Sequence, residues 1–269
     1  MIISANTRVN TSINTPKKKC FLESKTFCNI LGFSAVRGVF SVGSMTYQSL
    51  RVKNLDFEFK ILKNVAKRTY PQQVGLNMLM ASMSLGIYEM GVDHTSNKEL
   101  YKMTSITIGQ LCLMQPIYNN IITAVQTQIS QDSTPLKRAF SFKIMPFVAT
   151  REMLSIGFGF LCSDKLKNYL INQQDMTVYK SGVLAGTGVG FIAATITQPI
   201  HNTITYHVGR QQEGCKNSIE KNGKRLMNKY KTGIISRGLI ARYCMVIPTI
   251  VGMNTFLSPL YDRCTNGLN

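Results

Sequence analysis

Thr195 to Ile204 reads TITQPIHNTI, and Cys112 to Ile121 reads CLMQPIYNNI. Both carry the skeleton Gln-Pro-Ile-x-Asn-x-Ile, beginning at Gln115 and at Gln198. Each proline, Pro116 and Pro199, lies inside a long uncharged run that reads as helix. A proline there deletes a backbone hydrogen bond and bends the helix. Two helices bent by the same words predict an internal repeat. Neither proline has a charged residue just after it.

The runs around these prolines set the fold class. The chain has 269 residues and a net charge of +18, from 31 Lys+Arg against 13 Asp+Glu. That length makes one large domain or two small ones. That charge suits anionic surroundings, either nucleic acid or lipid head groups. The mean hydropathy of +0.01 hides strong segregation. Met103 to Gln131 and Ser181 to Gly209 hold no charged side chain, and neither do Thr69 to Tyr88 and Tyr243 to Tyr261. Phe27 to Leu50 holds only Arg37, and Ile144 to Ser163 only Arg151 and Glu152. A membrane-spanning helix needs about 20 mostly apolar residues. The pattern predicts six spans, over 27–50, 69–90, 103–129, 144–164, 181–208 and 239–261. Their Ser, Thr, Asn, Gln and Gly content suits a bundle with close helix contacts and polar groups facing an interior. A soluble all-helical protein is the alternative, but these runs exceed ordinary helix length.

The connections carry the charge. Arg51 to Arg68 and Asn217 to Arg237 are basic links suited to an anionic leaflet, and Gly91 to Lys102 is mixed. Residues 1–25 form a polar basic tail with no apolar core. That excludes a secretory signal and leaves a weak organelle-targeting segment or a plain tail. The 7 cysteines form no C-x-x-C pair, and the histidines show no ligand spacing. No metal site, disulfide framework or catalytic constellation is expected, so the chain does not read as an enzyme. Gly188-Val-Gly190-Phe-Ile-Ala193 fits a dinucleotide pattern, with Glu213 downstream. No apolar strand precedes it, and Pro199 interrupts the helix that should follow. Gly182, Gly186 and Gly190 instead step by four, which predicts a close-packing helix face. Nucleic-acid binding has only the net charge in its favour and is not expected.

The stretch SGVLAGTGVGFIAATITQPIHN, Ser181 to Asn202, resembles the odd-numbered helices of the mitochondrial carrier family. Those helices begin G-x-x-x-G and end P-x-[DE]-x-x-[KR]. Gly182, Gly186 and Pro199 match in repeat three, and Pro116 in repeat two. In repeat one Gly32 is present, and the proline position falls on Ser44 or Met45. Ser236-Arg237-Gly238 and Phe142-Lys143-Ile144 are similar to the family's [FY]-[KR]-G before its even helices. Tyr88-Glu89, Tyr261-Asp262 and Ser163-Asp164 to Lys167 are similar to its [FY]-[DE]-x-x-[KR] at their ends. The resemblance runs from about Thr26 to Arg263 and is most specific in the third repeat. It implies an all-α, pseudo-threefold bundle of six transmembrane helices, with repeats over 26–95, 96–172 and 173–269. It also implies a multi-pass place in the mitochondrial inner membrane. Bound cardiolipin is implied near Lys143, Arg237 and Gly238, and no other cofactor.

The departures from the family bear on function. Its acid and base after each proline pair between repeats and close the matrix side. Here those positions hold Tyr118 and Ile121, then His201 and Ile204. In repeat one they hold Thr46 and Ser49, or Tyr47 and Leu50 in the other register. The cytoplasmic-side network is implied at Glu89, Asp164, Lys167 and Asp262. Substrate contacts are implied at Asn77 beside Leu76, at Arg151 and Glu152, and at Met245 or Ile250. The Arg151-Glu152 pair resembles the amino-acid-transporting branch, yet it reads equally as an internal ion pair, with Arg37 or Arg242 as further partners. Two functions are therefore expected in order. The first is a transport-incompetent structural or accessory subunit of a larger inner-membrane assembly, for example a respiratory complex. The second is an active, divergent carrier for an amino acid or related small metabolite. Expected partners are membrane lipids, including cardiolipin, and protein subunits of that assembly.

Overall fold

The computed structural model describes residues 24–52, 55–130, 144–212, 217–231, 233–236 and 238–266. They form helices and short connections, with no strand among the described residues. The first helix, α1, runs Ser24–Val52. Its polar residues Ser34, Arg37, Ser41, Ser44 and Gln48 recur every three or four positions and are buried. Phe27, Val39 and Phe40 point outward. This reverses the pattern of a water-soluble helix, whose apolar stripe is the buried one.

The second helix, α2, runs Phe59–Gly91 and starts within the basic stretch expected to be a link. Only residues 53–58 separate it from α1. The physical reason is periodicity. Lys60, Lys63 and Lys67 share an exposed face, while Val65, Thr69, Gln73 and Asn77 step by four along the buried one. A 3-10 turn, Val92–His94, leads to α3, Lys98–Ser130. Pro116 falls within α3, and its side chain is outside the described residues.

The next helix, α4 (Met145–Glu152), has proline in its first turn, where the missing N–H costs nothing. One π turn, Met153–Gly157, joins it to α5, Phe158–Gln174. The long α6 spans Val178–Gln212 with Pro199 inside it. Two short helices follow, α7 (Ile219–Tyr230) and α8 (Gly233–Ser236). The chain then runs through α9 (Leu239–Gly252), a second π turn (Met253–Leu257) and α10 (Ser258–Asn266).

The long helices close into a ring in chain order. α1 packs on α2, α2 on α3, α3 on α4, α5 on α6, α6 on α9, and α9 returns to α1. α1, α3 and α6 also touch one another across the middle. Small residues set the contact of α6 with α9. A Cβ on Gly186 would lie 2.8 Å from Val251 Cγ2, and one on Gly190 would lie 2.9 Å from Ile247 Cγ1. Only glycine lets α6 and α9 approach so closely.

Among the described residues, three helical stretches are long and apolar enough to cross a membrane: Lys25–Arg51, Val178–Gln211 and Leu239–Asp262. Their mean hydropathies are 1.2, 1.4 and 1.3. Helix also covers the expected spans at 69–90, 103–129 and 144–164, but with less apolar sequence. In α3 the cause is visible in Thr104, Ser105, Thr107, Gln110, Gln115 and Asn119, which lower its hydropathy without adding charge. The N-terminal tail lies almost wholly outside the described residues.

Candidate functional site

The helices enclose a polar interior, and one hydrogen-bonded chain crosses it. Arg151 on α4 donates from Nε to Glu152 Oε1 at 2.6 Å, and both side chains are buried. Arg151 Nη1 lies 3.4 Å from His201 Nδ1 on α6. His201 Nε2 lies 2.6 Å from Gln48 Oε1 on α1. Gln48 Nε2 then donates to Asn202 Oδ1 at 2.7 Å. An amide oxygen can only accept, so the imidazole proton sits on Nε2, and Nδ1 accepts from Arg151. The chain therefore binds α4, α6 and α1 with a neutral histidine at its centre. Gly238 closes against the same glutamine. It opens α9 with φ +73°, and a Cβ there would lie 3.4 Å from Gln48 Cγ. Left-handed backbone at a tight contact explains the glycine.

Midway along the bundle, Arg37 Nη2 donates to Gln110 Oε1 at 2.9 Å, joining α1 to α3. Arg242 Nη2 donates to Thr197 Oγ1 at 3.2 Å, joining α9 to α6. Between the helices lies a cavity of about 10 Å³, bordered by Phe33, Met80, Ser84, Ile106, Gln110 and Tyr261. That is room for about one water molecule.

The other end of the bundle is closed by charge and aromatic contact. Lys102 on α3 lies 3.0 Å from Asp164 Oδ2 on α5 and 3.7 Å from Asp262 Oδ1 on α10. Its ammonium also stands 5.0 Å above the Phe160 ring and 5.3 Å above the Tyr261 ring. Lys167 pairs with Asp164 Oδ1 at 2.8 Å and donates to Ser258 Oγ at 2.8 Å. Tyr88 on α2 meets Tyr261 edge to face, with ring centroids 4.9 Å apart. Asn254 bonds Ser163 and the carbonyl of Gly182.

The sequence-derived residues fall as follows. Asp164, Lys167 and Asp262 meet at this end, and Glu89 is part-buried one residue beyond Tyr88. Lys102 was not expected in the network. Its only sequence signal is its place as the last charge before the uncharged run that starts at Met103. Asn77, Arg151, Glu152 and Met245 are all buried. Ile121 and Ile204 are buried too, and His201 bonds to Arg151 and Gln48 as described. Gln48 carried no signal beyond being polar. Lys143, Arg237 and the side chain of Tyr118 lie outside the described residues. Gly238 borders an open groove of about 420 Å³ with Tyr47, Arg51, Tyr230, Ser236 and Ile240. No group of three or more metal-ligating side chains occurs among the described residues.

Comparison of the chain with protein-family models, with curated proteins and with solved structures finds no match.

Proposed function

We propose that this chain is a six-span membrane protein of carrier-like arrangement that does not transport and serves as a structural or accessory subunit of a larger inner-membrane complex. The observation that carries the reading is an interior bonded to itself at both ends, through Gln48 with Asn202 and His201 at one and Lys102 with Asp164 at the other. A transporter must free these interior groups to admit a substrate. Alternating access also needs two closures that exchange stability when substrate binds. The Gln48, Asn202 and His201 contacts supply closure without paired charges at the positions the carrier family uses. Carrier-like arrangement is favoured by the phased prolines and by the closed ring of helices in chain order. The outward apolar faces of α1 and α6 favour lipid surroundings.

One observation favours the second reading, an active carrier for an amino acid or similar metabolite. Ser34, Thr46, Ser49, Asn77 and Ser155 each bury a polar atom that has no hydrogen-bond partner among the described residues. Such atoms would be satisfied by water if the helices parted.

Extraction in mild detergent separates the two. As a subunit, the chain comigrates with a large complex on a native gel. Migration as a monomer under several mild detergents contradicts the subunit reading.

A further inference from the structure

We infer that α7 lies on the membrane surface and binds, through its outward basic face, the head groups of an anionic phospholipid leaflet. This rests on the membrane-spanning reading and extends it to a specific surface.

The seat of α7 fixes its depth. Its buried residues Ile219, Asn222, Gly223 and Leu226 follow helical spacing and face the bundle. Asn222 Nδ2 lies 2.9 Å from His207 Nδ1, and a Cβ on Gly223 would lie 3.1 Å from Thr203 Cγ2. Both partners lie within the last three turns of α6. At about 1.5 Å per residue, α7 sits beside the end of that candidate span, at interfacial depth. Ser218 caps its first turn by accepting from Lys221 N at 3.3 Å.

Lys221, Lys224, Arg225 and Lys229 occupy the opposite face and are exposed. None forms an ion pair with an acid among the described residues, and α7 contains one acid, Glu220. Their spacing of three and four places like charges side by side, which weakens a helix in water. Lipid phosphates would neutralise them. The far end of the bundle is built differently, because Lys102, Lys165 and Lys167 each have a carboxylate partner there. Met227, on the flank of α7, exposes 59% of its surface. An apolar side chain between cations is the composition of a helix lying in an interface.

The chain contains no tryptophan, so M227W is a single-fluorophore reporter. The full-length variant is reconstituted in vesicles of phosphatidylcholine alone, or with about a third phosphatidylglycerol, with brominated acyl chains as quencher. The expected result is at least about twofold stronger quenching in the anionic vesicles, lost as salt rises to about 0.5 M. Adding K221Q, K224Q, R225Q and K229Q together should abolish the difference. The salt series needs no charge substitution, so it decides the matter even if the multiple variant fails to fold. Quenching equal in both vesicles, or indifferent to salt, overturns the inference. I192W on the outward face of α6 separates the two readings. Quenching there without an anionic effect at M227W defeats this inference alone. No quenching at I192W defeats the spanning reading and this inference with it.

Discussion

Lys102 reaches Asp164 at 3.0 Å and Asp262 at 3.7 Å, so one ammonium from α3 ties together α5 and α10. The lysine and Asp164 expose only 10% and 17% of their side chains, whereas Asp262 exposes 54%. The Asp164 contact is therefore the stronger one, because solvent screens Asp262. Removing one partner of a buried pair strands the other. Here Lys167 remains to hold Asp164, which softens the loss. K102A should cost about 2 kcal/mol, or roughly 5 °C in melting temperature. D262N should cost less. A thermal melt in detergent in which D262N is the more damaging would show that the wrong contact has been given the weight.

The bond from Gln48 to Asn202 and the contact with His201 hold the opposite end. Truncation removes both contacts of the Gln48 amide, and a lost buried hydrogen bond costs about 1–3 kcal/mol, while Gln198 still donates to Asn202 Oδ1. Q48A should therefore lower the melting temperature about as much as K102A. The two sites share no residue and belong to opposite ends, so their effects should add. Strong non-additivity in the double variant would mean that the ends are coupled.

Glycine positions on α6 divide by what surrounds them. A Cβ on Gly186 would lie 3.0 Å from the backbone Cα of Val251, whereas one on Gly188 would meet nothing within 4 Å. G186A should cost about 1–3 kcal/mol, since backbone must move to admit the methyl group. G188A should be neutral or stabilising by up to about 1 kcal/mol, because alanine suits a helix better than glycine. Equal effects in thermal melts would contradict the packing of α6 on α9.

The groove beside Gly238 offers Arg51 and the first turn of α9, a combination suited to a lipid phosphate. Native mass spectrometry should show bound cardiolipin on the wild-type chain and clearly less on R51A or R237A. Retention at the wild-type level by R51A would remove the groove as its site.

How much of this was legible in the sequence depended on the range of the interaction. The long helices were readable because an uncharged run is a local signal, as at 181–208. The start of α2 was misread because Lys60, Lys63 and Lys67 look like a loop until Val65 and Thr69 are seen to share the other face. The acids Asp164 and Asp262 were found through motif position. Lys102 was not, because nothing local tells a lysine that it will face acids on two distant helices. Arg151 and Glu152 stood out as charges inside an uncharged run. Their link through His201 to Gln48 depends on ring closure between α4, α6 and α1, which no single stretch encodes.

The central claim, that this bundle does not transport, is tested most directly by counter-exchange in proteoliposomes. Purified full-length chain is reconstituted and loaded in turn with amino acids, nucleotides and carboxylates, and uptake of the labelled compound is followed. The account predicts uptake no faster than in empty vesicles for every compound. Saturable exchange abolished by R151A would contradict it and establish the carrier reading.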